Sequence, residues 1–218
     1  MTLPGDTLLS IPARNNIDQM KRRFLHVGCG PHDKTAIAKG FNTPDWDEIR
    51  FDIDIGVKPD IVGTMTDMSN VTTGSMDAIY SAHNIEHLFP HEVLPALREF
   101  HRVLAPEGFV VITCPDIQTV CEAVADDKLF DPLYISTMGP ISPIDILYGH
   151  RESVAKGNVY MAHKCGFTYS ALEGGFSQAG FASTIGGQRR QAFDLWLLAY
   201  KNEVAENLLK ENAALYLP

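Results

Sequence analysis

The stretch "FLHVGCGPHDKTA", residues 24–36, decides how the first half of this chain is expected to fold. Residues 24–27 form a short apolar run, and Gly28 and Gly30 follow it directly. An apolar run bounded by glycine predicts a buried strand. Glycines lack a Cβ, so the backbone of a turn after the strand can approach a bound molecule closely. The stretch therefore predicts a strand followed by a ligand-binding turn.

Downstream of this turn, strand-like and helix-like segments alternate. Further strands are predicted at residues 48–52, 60–63, 77–81 and 109–114. Before the last of these, apolar residues recur at helical spacing, and a Pro-Glu-Gly break ends the helix. The residues of this pattern are Val93, Leu97, Phe100 and Leu104, and the break is at 106–108. Strand–helix–strand order with short turns predicts an α/β fold, doubly wound and Rossmann-like, with a mainly parallel sheet.

The second half of the chain begins with a less regular segment. Residues 117–167 are rich in Pro, Gly, His and Tyr, which predicts a lid or substrate wall inserted into a single domain spanning 1–218. Thr168 is expected to cap a helix that ends at Gly180. Residues 181–201 predict an antiparallel pair of strands around a glycine-containing bend, at the edge of the sheet. The tail after them is predicted to be helical.

Composition and charge narrow the classes of partner. The 218 residues carry a net charge of -9, so phosphate backbones and anionic membranes repel the chain. We therefore expect no nucleic acid and no membrane partner. The four cysteines include no C-x-x-C pair, which is typical of a reducing compartment. Residues 1–20 lack the pattern of a signal peptide, and a cytoplasmic location is expected.

Three kinds of ligand could use the glycine turn. A P-loop is excluded, because Lys34 is not part of a Gly-Lys-Ser/Thr sequence. The turn lacks the third glycine of a dinucleotide site, and Asp33 would bring negative charge towards a pyrophosphate. S-adenosylmethionine (SAM) has no phosphate, and its ammonium and sulfonium groups are cationic. An acid at the end of the second predicted strand, Asp52, could accept hydrogen bonds from both ribose hydroxyls.

Five motifs in this order resemble class I SAM-dependent methyltransferases. They are "LHVGCGP", "RFDID", "DIVGTMTDM", "MDAIYSAHNIEHL" and "EFHRVLAPEGFVVITCPD", and they cover residues 24–116. They look most like the small, type-11-like branch, often linked to modification of sugars or small metabolites. The resemblance implies a seven-stranded sheet with an antiparallel edge pair, and SAM as the cofactor, with S-adenosylhomocysteine as the product.

The resemblance also implies which residues bind the cofactor. The glycine turn would line the methionine end, Asp52 the ribose, and Ile53 the adenine. The hydroxyl of Thr64, or Asp67 in its place, would bind the adenine amino group. His26 stands where many members of the family carry an acid that orients the ammonium. The full set implied is His26, Gly28, Cys29, Gly30, Asp52, Ile53, Thr64, Met65, Asp67, Ser81, Ala82, His83 and His87.

The motif His83-x-x-Glu86-His87 also fits the inverted zinc-hydrolase pattern. Together with His91 it places histidines at intervals of four residues, but Pro90 interrupts a helix there, and no third ligand is evident. We therefore expect no metal, and expect Glu86 and His87 to brace the wall of the cofactor pocket. A zinc hydrolase remains an alternative.

Methyl transfer to an oxygen or nitrogen needs a base for the acceptor's proton. The candidates are His83, His87, His150, His163 and Asp116, of which His83 or His150 is predicted to be the catalytic base. Three lid tyrosines, at 134, 148 and 160, favour a small-molecule acceptor. The helical tail and apolar edge strands could form a homodimer. A catalytically inactive SAM-fold protein that binds a partner remains open, and a nicotinamide dehydrogenase is a further alternative.

Overall fold

The computed structural model describes residues 21–218, which form a seven-stranded sheet and a separate two-stranded hairpin. The strands are β1 (Arg22–Val27), β2 (Trp46–Asp52), β3 (Ile61–Val62), β4 (Met76–Ala82), β5 (Leu104–Pro115), β6 (Tyr134–Ser136), β7 (Gly139–Ile141), β8 (Ser183–Arg189) and β9 (Asp194–Tyr200). The order in the large sheet is β3-β2-β1-β4-β5-β9-β8, and β6 pairs with β7. The predicted α/β fold is confirmed, and each predicted strand overlaps an observed one. However, β5 begins at Leu104, so the last residue of the predicted helix and the predicted break at 106–108 lie in this strand.

The pairing of the strands brings the ends of five strands to one edge of the sheet. The first five strands pair in parallel, so their carboxyl ends lie at the same edge of the sheet. Strand β9 is antiparallel to β5, and β8 is antiparallel to β9. In open α/β sheets, ligands bind outside the carboxyl ends of the parallel strands. The order reverses direction between β1 and β4, which places the glycine turn at the expected crevice.

Two helices cover one face of the sheet. The helices of the described chain are α1 (Pro90–Val103), α2 (Ile117–Ala125), α3 (Pro143–Tyr148), α4 (Arg151–Ala155), α5 (Tyr169–Ala179) and α6 (Glu206–Tyr216). Helices α1 and α5 pack on each other and bury the apolar side chains of β1, β4 and β5. Thr168 caps α5 by accepting a hydrogen bond from the Ala171 amide, and Gly180 ends it at φ +104°. Both ends of α5 lie where the sequence predicts them.

Aromatic side chains fill much of the opposite face. Phe24, Phe41, Trp46 and Phe109 are buried there with Tyr216 of α6. The Trp46 indole donates a hydrogen bond of 3.2 Å to the Tyr216 hydroxyl, which ties the tail to the sheet. Between β1 and β2 the chain forms only a short 3-10 turn, Lys34–Ala36. Helix α6 and the aromatic cluster therefore cover the face next to this connection.

One prediction about the sheet edge is wrong. The two glycines expected in the bend, Gly186 and Gly187, lie inside β8, and the turn comes later, at residues 190–193. Close strand contact explains the first glycine, because a Cβ at Gly186 would lie 2.1 Å from the Trp196 carbonyl oxygen. The prediction about a signal peptide falls outside the described residues. Within residues 21–218, no helix is long and apolar enough to cross a membrane.

Candidate active site

The glycine turn follows β1 and has an open side. Gly28 and Gly30 adopt positive φ angles of +63° and +53°, which favour glycine. A Cβ at Gly28 would lie 1.9 Å from the side-chain oxygen of Asn84, so this position is closed by packing. A Cβ at Gly30 would meet no atom within 4 Å. The backbone at Gly30 therefore faces free space at the carboxyl edge of the sheet.

Three charged residues of β2 hold this turn. Glu48, Arg50 and Asp52 alternate along the strand and share one side of it; we call them the β2 charge ladder. Asp52 accepts a hydrogen bond of 2.8 Å from the Gly30 amide. Arg50 donates to the carbonyl oxygens of Gly30 at 2.6 Å and His32 at 3.1 Å. Glu48 accepts from the Lys34 amide at 2.8 Å, so the ladder grips the turn at successive points.

The sequence analysis did not identify Glu48 or Arg50 as part of the site. Arg50 also donates to the carbonyl oxygens of Val57 and Lys58, and thereby joins the glycine turn to the loop after β2. The signal was present, because three charges at alternate positions of a predicted strand lie on one side of it and need polar partners if that side is covered. The identity of those partners follows only from the fold.

His26 lies behind the turn rather than beside its open side. Its ring is 4% exposed, stands 2.7 Å from a Glu48 carboxylate oxygen through Nδ1, and meets the Tyr80 ring edge-on. Burial lowers the pKa of His26 below its ordinary value, although the hydrogen bond to Glu48 works in the opposite direction. A neutral ring that donates its Nδ1 proton to Glu48 satisfies both groups. His26 therefore braces β1 against β2.

The other predicted cofactor residues differ in what they can offer. Cys29 and Ser81 are buried and expose almost no surface; burial raises the pKa of the Cys29 thiol to about 11. Ile53 is half exposed beside Asp52 and offers an apolar surface. Ala82 is partly buried at the end of β4, and Met65 packs partly against the main core.

The segment predicted to contact adenine forms a compact turn. The Thr64 carbonyl accepts a hydrogen bond from the Asp67 amide at 3.1 Å, and the Thr64 hydroxyl lies 2.8 Å from that of Thr66. The Asp67 carboxylate accepts from the Ser69 amide at 3.0 Å, and this bond lowers its pKa. Both side chains are thus engaged locally.

At the end of β4, Asn84 joins two strands. Its amide donates to the carbonyl oxygens of Val27 at 3.0 Å and Ala82 at 2.8 Å, which fixes β4 against β1 beside the glycine turn. The preceding residue, His83, has φ +53° and a side chain that is 56% exposed. The sequence analysis missed Asn84, whose role depends on the parallel pairing of the two strands.

A buried carboxylate follows His83. Glu86 is 1% exposed, and His83 Nδ1 lies 3.6 Å from its Oε1 atom, beyond hydrogen-bonding distance. Partial loss of hydration lowers the pKa of His83, but the neighbouring Glu86 charge outweighs this and raises it above its ordinary value. His87 and His163 also lie beside Glu86, and their ring centroids are 4.9 Å apart. The fold thus gathers His83, Glu86, His87 and His163 at one place.

The remaining base candidates have structural partners. His150 caps α4, and its Nδ1 atom lies 2.8 Å from the Ser153 hydroxyl. Asp116 is fully buried and caps α2, accepting hydrogen bonds from the Gln118 amide at 3.0 Å and the Thr119 hydroxyl at 2.5 Å. Of the predicted pair, His83 lies at the carboxyl edge, whereas His150 belongs to the segment between α3 and α4.

A cavity of about 500 Å³ lies elsewhere, at the amino edge of the sheet. Its lining includes Arg22, Trp46, Tyr200 and Leu208, and none of the predicted site residues. The candidate site is instead the open crevice at the carboxyl edge.

Comparison with known families identifies the domain that contains this crevice. A family model described as a methyltransferase domain matches residues 25–112, which include the glycine turn, Asp52 and His83. Residues 25–112 of the chain match a methyltransferase domain. The match covers four of the five resembling motifs in full or nearly so, and the resemblance to class I SAM-dependent methyltransferases is confirmed.

Solved structures show that the methyltransferase domain has the fold expected of class I members. The CurJ carbon methyltransferase aligns with a TM-score of 0.56 at 12% identity, over 84% of this chain and 49% of that one. A SAM-dependent methyltransferase from Methanosarcina mazei aligns with a TM-score of 0.52 at 14% identity, over 84% and 93%. One from Archaeoglobus fulgidus aligns with a TM-score of 0.52 at 13% identity, over 83% and 86%.

The coverage of the aligned structures limits what their similarity shows to the fold. This chain spans about half the length of the solved CurJ carbon methyltransferase chain. No curated protein sequence matches the chain. The likeness to solved structures therefore shows the fold.

Proposed function

We propose that this domain transfers a methyl group from SAM to an oxygen or nitrogen of a small molecule. The observation that carries the proposal is the Gly30 backbone, which faces open space while Asp52 and Arg50 hold its amide and carbonyl groups. A turn fixed in this way, within a matched methyltransferase domain, suits close approach of a ligand. The residues present fit SAM.

The chemistry of the crevice favours SAM over a phosphate ligand. Asp52 uses one hydrogen bond on each carboxylate oxygen, to the amides of Gly30 and Asp54, and each oxygen retains a lone pair. These lone pairs can accept the two ribose hydroxyls. Ile53 is half exposed beside Asp52 and would pack against the adenine ring. SAM brings two cationic groups to this acidic chain, whereas a pyrophosphate would bring negative charge.

The transfer itself is a displacement at carbon. A lone pair of the acceptor forms a bond to the methyl carbon, the carbon–sulfur bond breaks, and its electron pair stays on sulfur as a neutral thioether. Positioning and exclusion of water account for most of what a protein can contribute. The acceptor's proton must leave, and we assign it to His83, which lies at the carboxyl edge with an exposed ring. We place His150 second, because Ser153 engages its ring.

The segment 117–167 supports a small-molecule acceptor. Tyr148 and Tyr160 expose 67% and 54% of their surface, and Tyr134 stacks on Phe193 with ring centroids 6.1 Å apart. Exposed aromatic rings with hydroxyl groups suit a ligand that is part apolar and part polar. The net charge of -9 disfavours nucleic acid. We propose that this segment forms the wall of the acceptor site.

Calorimetric titration with SAM and S-adenosylhomocysteine tests the proposed cofactor. Wild type is expected to bind both with micromolar affinity. Asp52→Ala should weaken binding by roughly 10- to 150-fold, since a hydrogen bond to a charged group contributes about 1.5–3 kcal/mol. Asp47→Ala is the matched control, because Asp47 is an exposed acid of the same strand. A folded wild type that binds neither compound would contradict the proposal and favour an inactive member of the fold.

A further inference from the structure

We propose that Glu86, His87 and His163 form a binding site for a divalent transition metal ion such as Zn²⁺. One ligand atom from each residue lies within 4.8 Å of the others. We call these three residues the Glu86 cluster. Two imidazoles and a carboxylate are a ligand set that Zn²⁺ uses in catalytic sites and that Fe²⁺ uses in facial triads. Such sets leave coordination positions open.

The carboxylate of Glu86 lacks the partners that a buried charge needs. It is 1% exposed, and within residues 21–218 neither of its oxygens has a hydrogen-bond donor. An ionised carboxylate that is removed from water without hydrogen bonds is strongly destabilised. A divalent cation would supply the missing charge and accept a lone pair from an oxygen. The unpartnered carboxylate is therefore the first observation that points to an ion.

The orientation of the two imidazoles is the second observation. His87 Nδ1 lies 3.1 Å from the carbonyl oxygen of Ala162, and His163 Nδ1 lies 2.6 Å from that of Ile146. A carbonyl oxygen can only accept, so each Nδ1 carries a proton, and each Nε2 has a free lone pair when the ring is neutral. Metal-binding histidines are commonly held in this way by a backbone carbonyl. Both rings are thus preset as Nε2 ligands.

The backbone holds the two contributing segments together. The Glu86 carbonyl oxygen accepts hydrogen bonds from the amides of Lys164 at 2.8 Å and Cys165 at 3.2 Å. The His163 amide donates to the Tyr148 carbonyl at 3.2 Å. The three ligands therefore sit on segments that are joined before any ion binds, which reduces the ordering needed on binding.

An ion pair with His83 is the competing explanation for Glu86. The 3.6 Å separation is too long for a hydrogen bond, and the His83 ring is 56% exposed to water. His83 would also leave one carboxylate oxygen without any partner. The pair accounts for part of the charge, whereas a metal ion would account for the carboxylate and for both oriented imidazoles.

The position of the Glu86 cluster suggests what the ion would do. His83, the base that we assign, adjoins the cluster at the carboxyl edge of the sheet. A fourth coordination position could take a hydroxyl oxygen of the acceptor, which would orient it and make its proton more acidic. This role rests on the proposed methyl transfer, whereas the metal site itself does not.

The test uses tag-free protein that is stripped with a chelator and titrated calorimetrically with Zn²⁺, with Co²⁺ absorption as a second readout. Wild type should bind one equivalent. His163→Asn should weaken binding by more than about 100-fold, because it loses a ligand and not only an outer partner. Asn retains an N–H group that can still reach the Ile146 carbonyl, so the structural hydrogen bond is kept. Glu86→Gln should weaken binding in the same way.

Two results would overturn the site. One is a folded wild type without saturable binding of either ion; the other is unchanged affinity in His163→Asn. His91→Ala is the matched control, because His91 is exposed near the start of α1 and should leave the affinity unchanged. Titration of the same samples with SAM keeps the two proposals distinct. If the protein bound SAM but no metal, only the proposed metal site would be contradicted.

Discussion

The glycine turn and the Glu86 cluster lie at the same edge of the sheet but differ in how their charges are satisfied. Around the turn, the β2 charge ladder gives every carboxylate and the guanidinium a hydrogen-bonded partner. In the Glu86 cluster, the carboxylate is more deeply buried and has no hydrogen-bonded partner within the described chain. Satisfied polar groups fix a shape, whereas an unsatisfied one indicates a missing partner. We infer that the glycine turn is already fixed in shape before its ligand binds, whereas the Glu86 cluster needs a cation to complete its set of partners.

The largest effect on stability should come from the closed side of the turn. Gly28→Ala places a Cβ 1.9 Å from the Asn84 side chain, at φ +63°. We expect the free energy of unfolding to fall by about 2–4 kcal/mol from overpacking and backbone strain. Gly30→Ala is the control: it meets no atom and should cost about 1–2 kcal/mol from its positive φ alone. Urea unfolding measures both, and equal losses would show that Gly28 is not packed as described.

Loss of the Arg50 guanidinium should have the next largest effect on stability. Arg50→Ala removes hydrogen bonds to four backbone carbonyls, and we expect a loss of about 2–3 kcal/mol in unfolding free energy, with weaker SAM binding. Arg98→Ala, an exposed arginine of α1, should change neither quantity. If Arg50→Ala were as stable as Arg98→Ala, the turn would not depend on the β2 charge ladder.

His26 should give the turn a pH dependence of a defined sign. Its pKa is lowered by burial, so the fold favours the neutral ring. Its contribution is complete above the ordinary pKa of 6.5 and is lost as pH falls through the lowered value in the folded protein. His26→Asn keeps a donor for Glu48 but cannot titrate. Unfolding free energies between about pH 7.5 and about pH 5 should fall more steeply in wild type than in this variant. If the unfolding free energies of wild type and His26→Asn changed in parallel with pH, the proposed titration of His26 would be contradicted.

The smallest effect on the metal-free protein should come from Glu86→Gln. No hydrogen bond is lost, a buried charge without donors is removed, and the contact with the largely exposed His83 contributes little, so we expect no loss in the free energy of unfolding and a gain of about 1 kcal/mol or less. With Zn²⁺ present, wild type should gain thermal stability, and the variant should not. A large loss in the metal-free variant would mean that Glu86 is already well partnered, and the contrast between the two regions would disappear.

Local pattern in the sequence was enough to predict most of the fold. Apolar runs and glycines located the strands of the parallel sheet, and Thr168 and Gly180 marked both ends of α5, because these signals act over a few residues. The glycine pair of β8 misled the analysis, since glycine serves both turns and close strand contacts, and only the position of Trp196 separates the two.

The candidate site was less predictable for a different reason. Asp52 could be found from its place at the end of a strand, but the partners of Glu48 and Arg50 depend on the register between β1 and β2. His163 reaches Glu86 only because the segment after α4 returns to the carboxyl edge, far along the chain from the His83-x-x-Glu86-His87 motif. The sequence indicated His163 only as a candidate base, apart from this motif, and gave no means of bringing the two together.

Hydrogen exchange measured by mass spectrometry, with SAM alone and with Zn²⁺ alone, tests the contrast between the two regions most directly. SAM should protect amides of residues 27–33 and 50–54, around Gly30 and Asp52. Zn²⁺ should protect residues 84–88 and 161–165, around Glu86 and His163. Two separate footprints are the predicted result. If SAM left hydrogen exchange in the glycine turn unchanged, the proposed SAM site would be contradicted. If Zn²⁺ left hydrogen exchange in both segments of the Glu86 cluster unchanged, the proposed metal site would be contradicted.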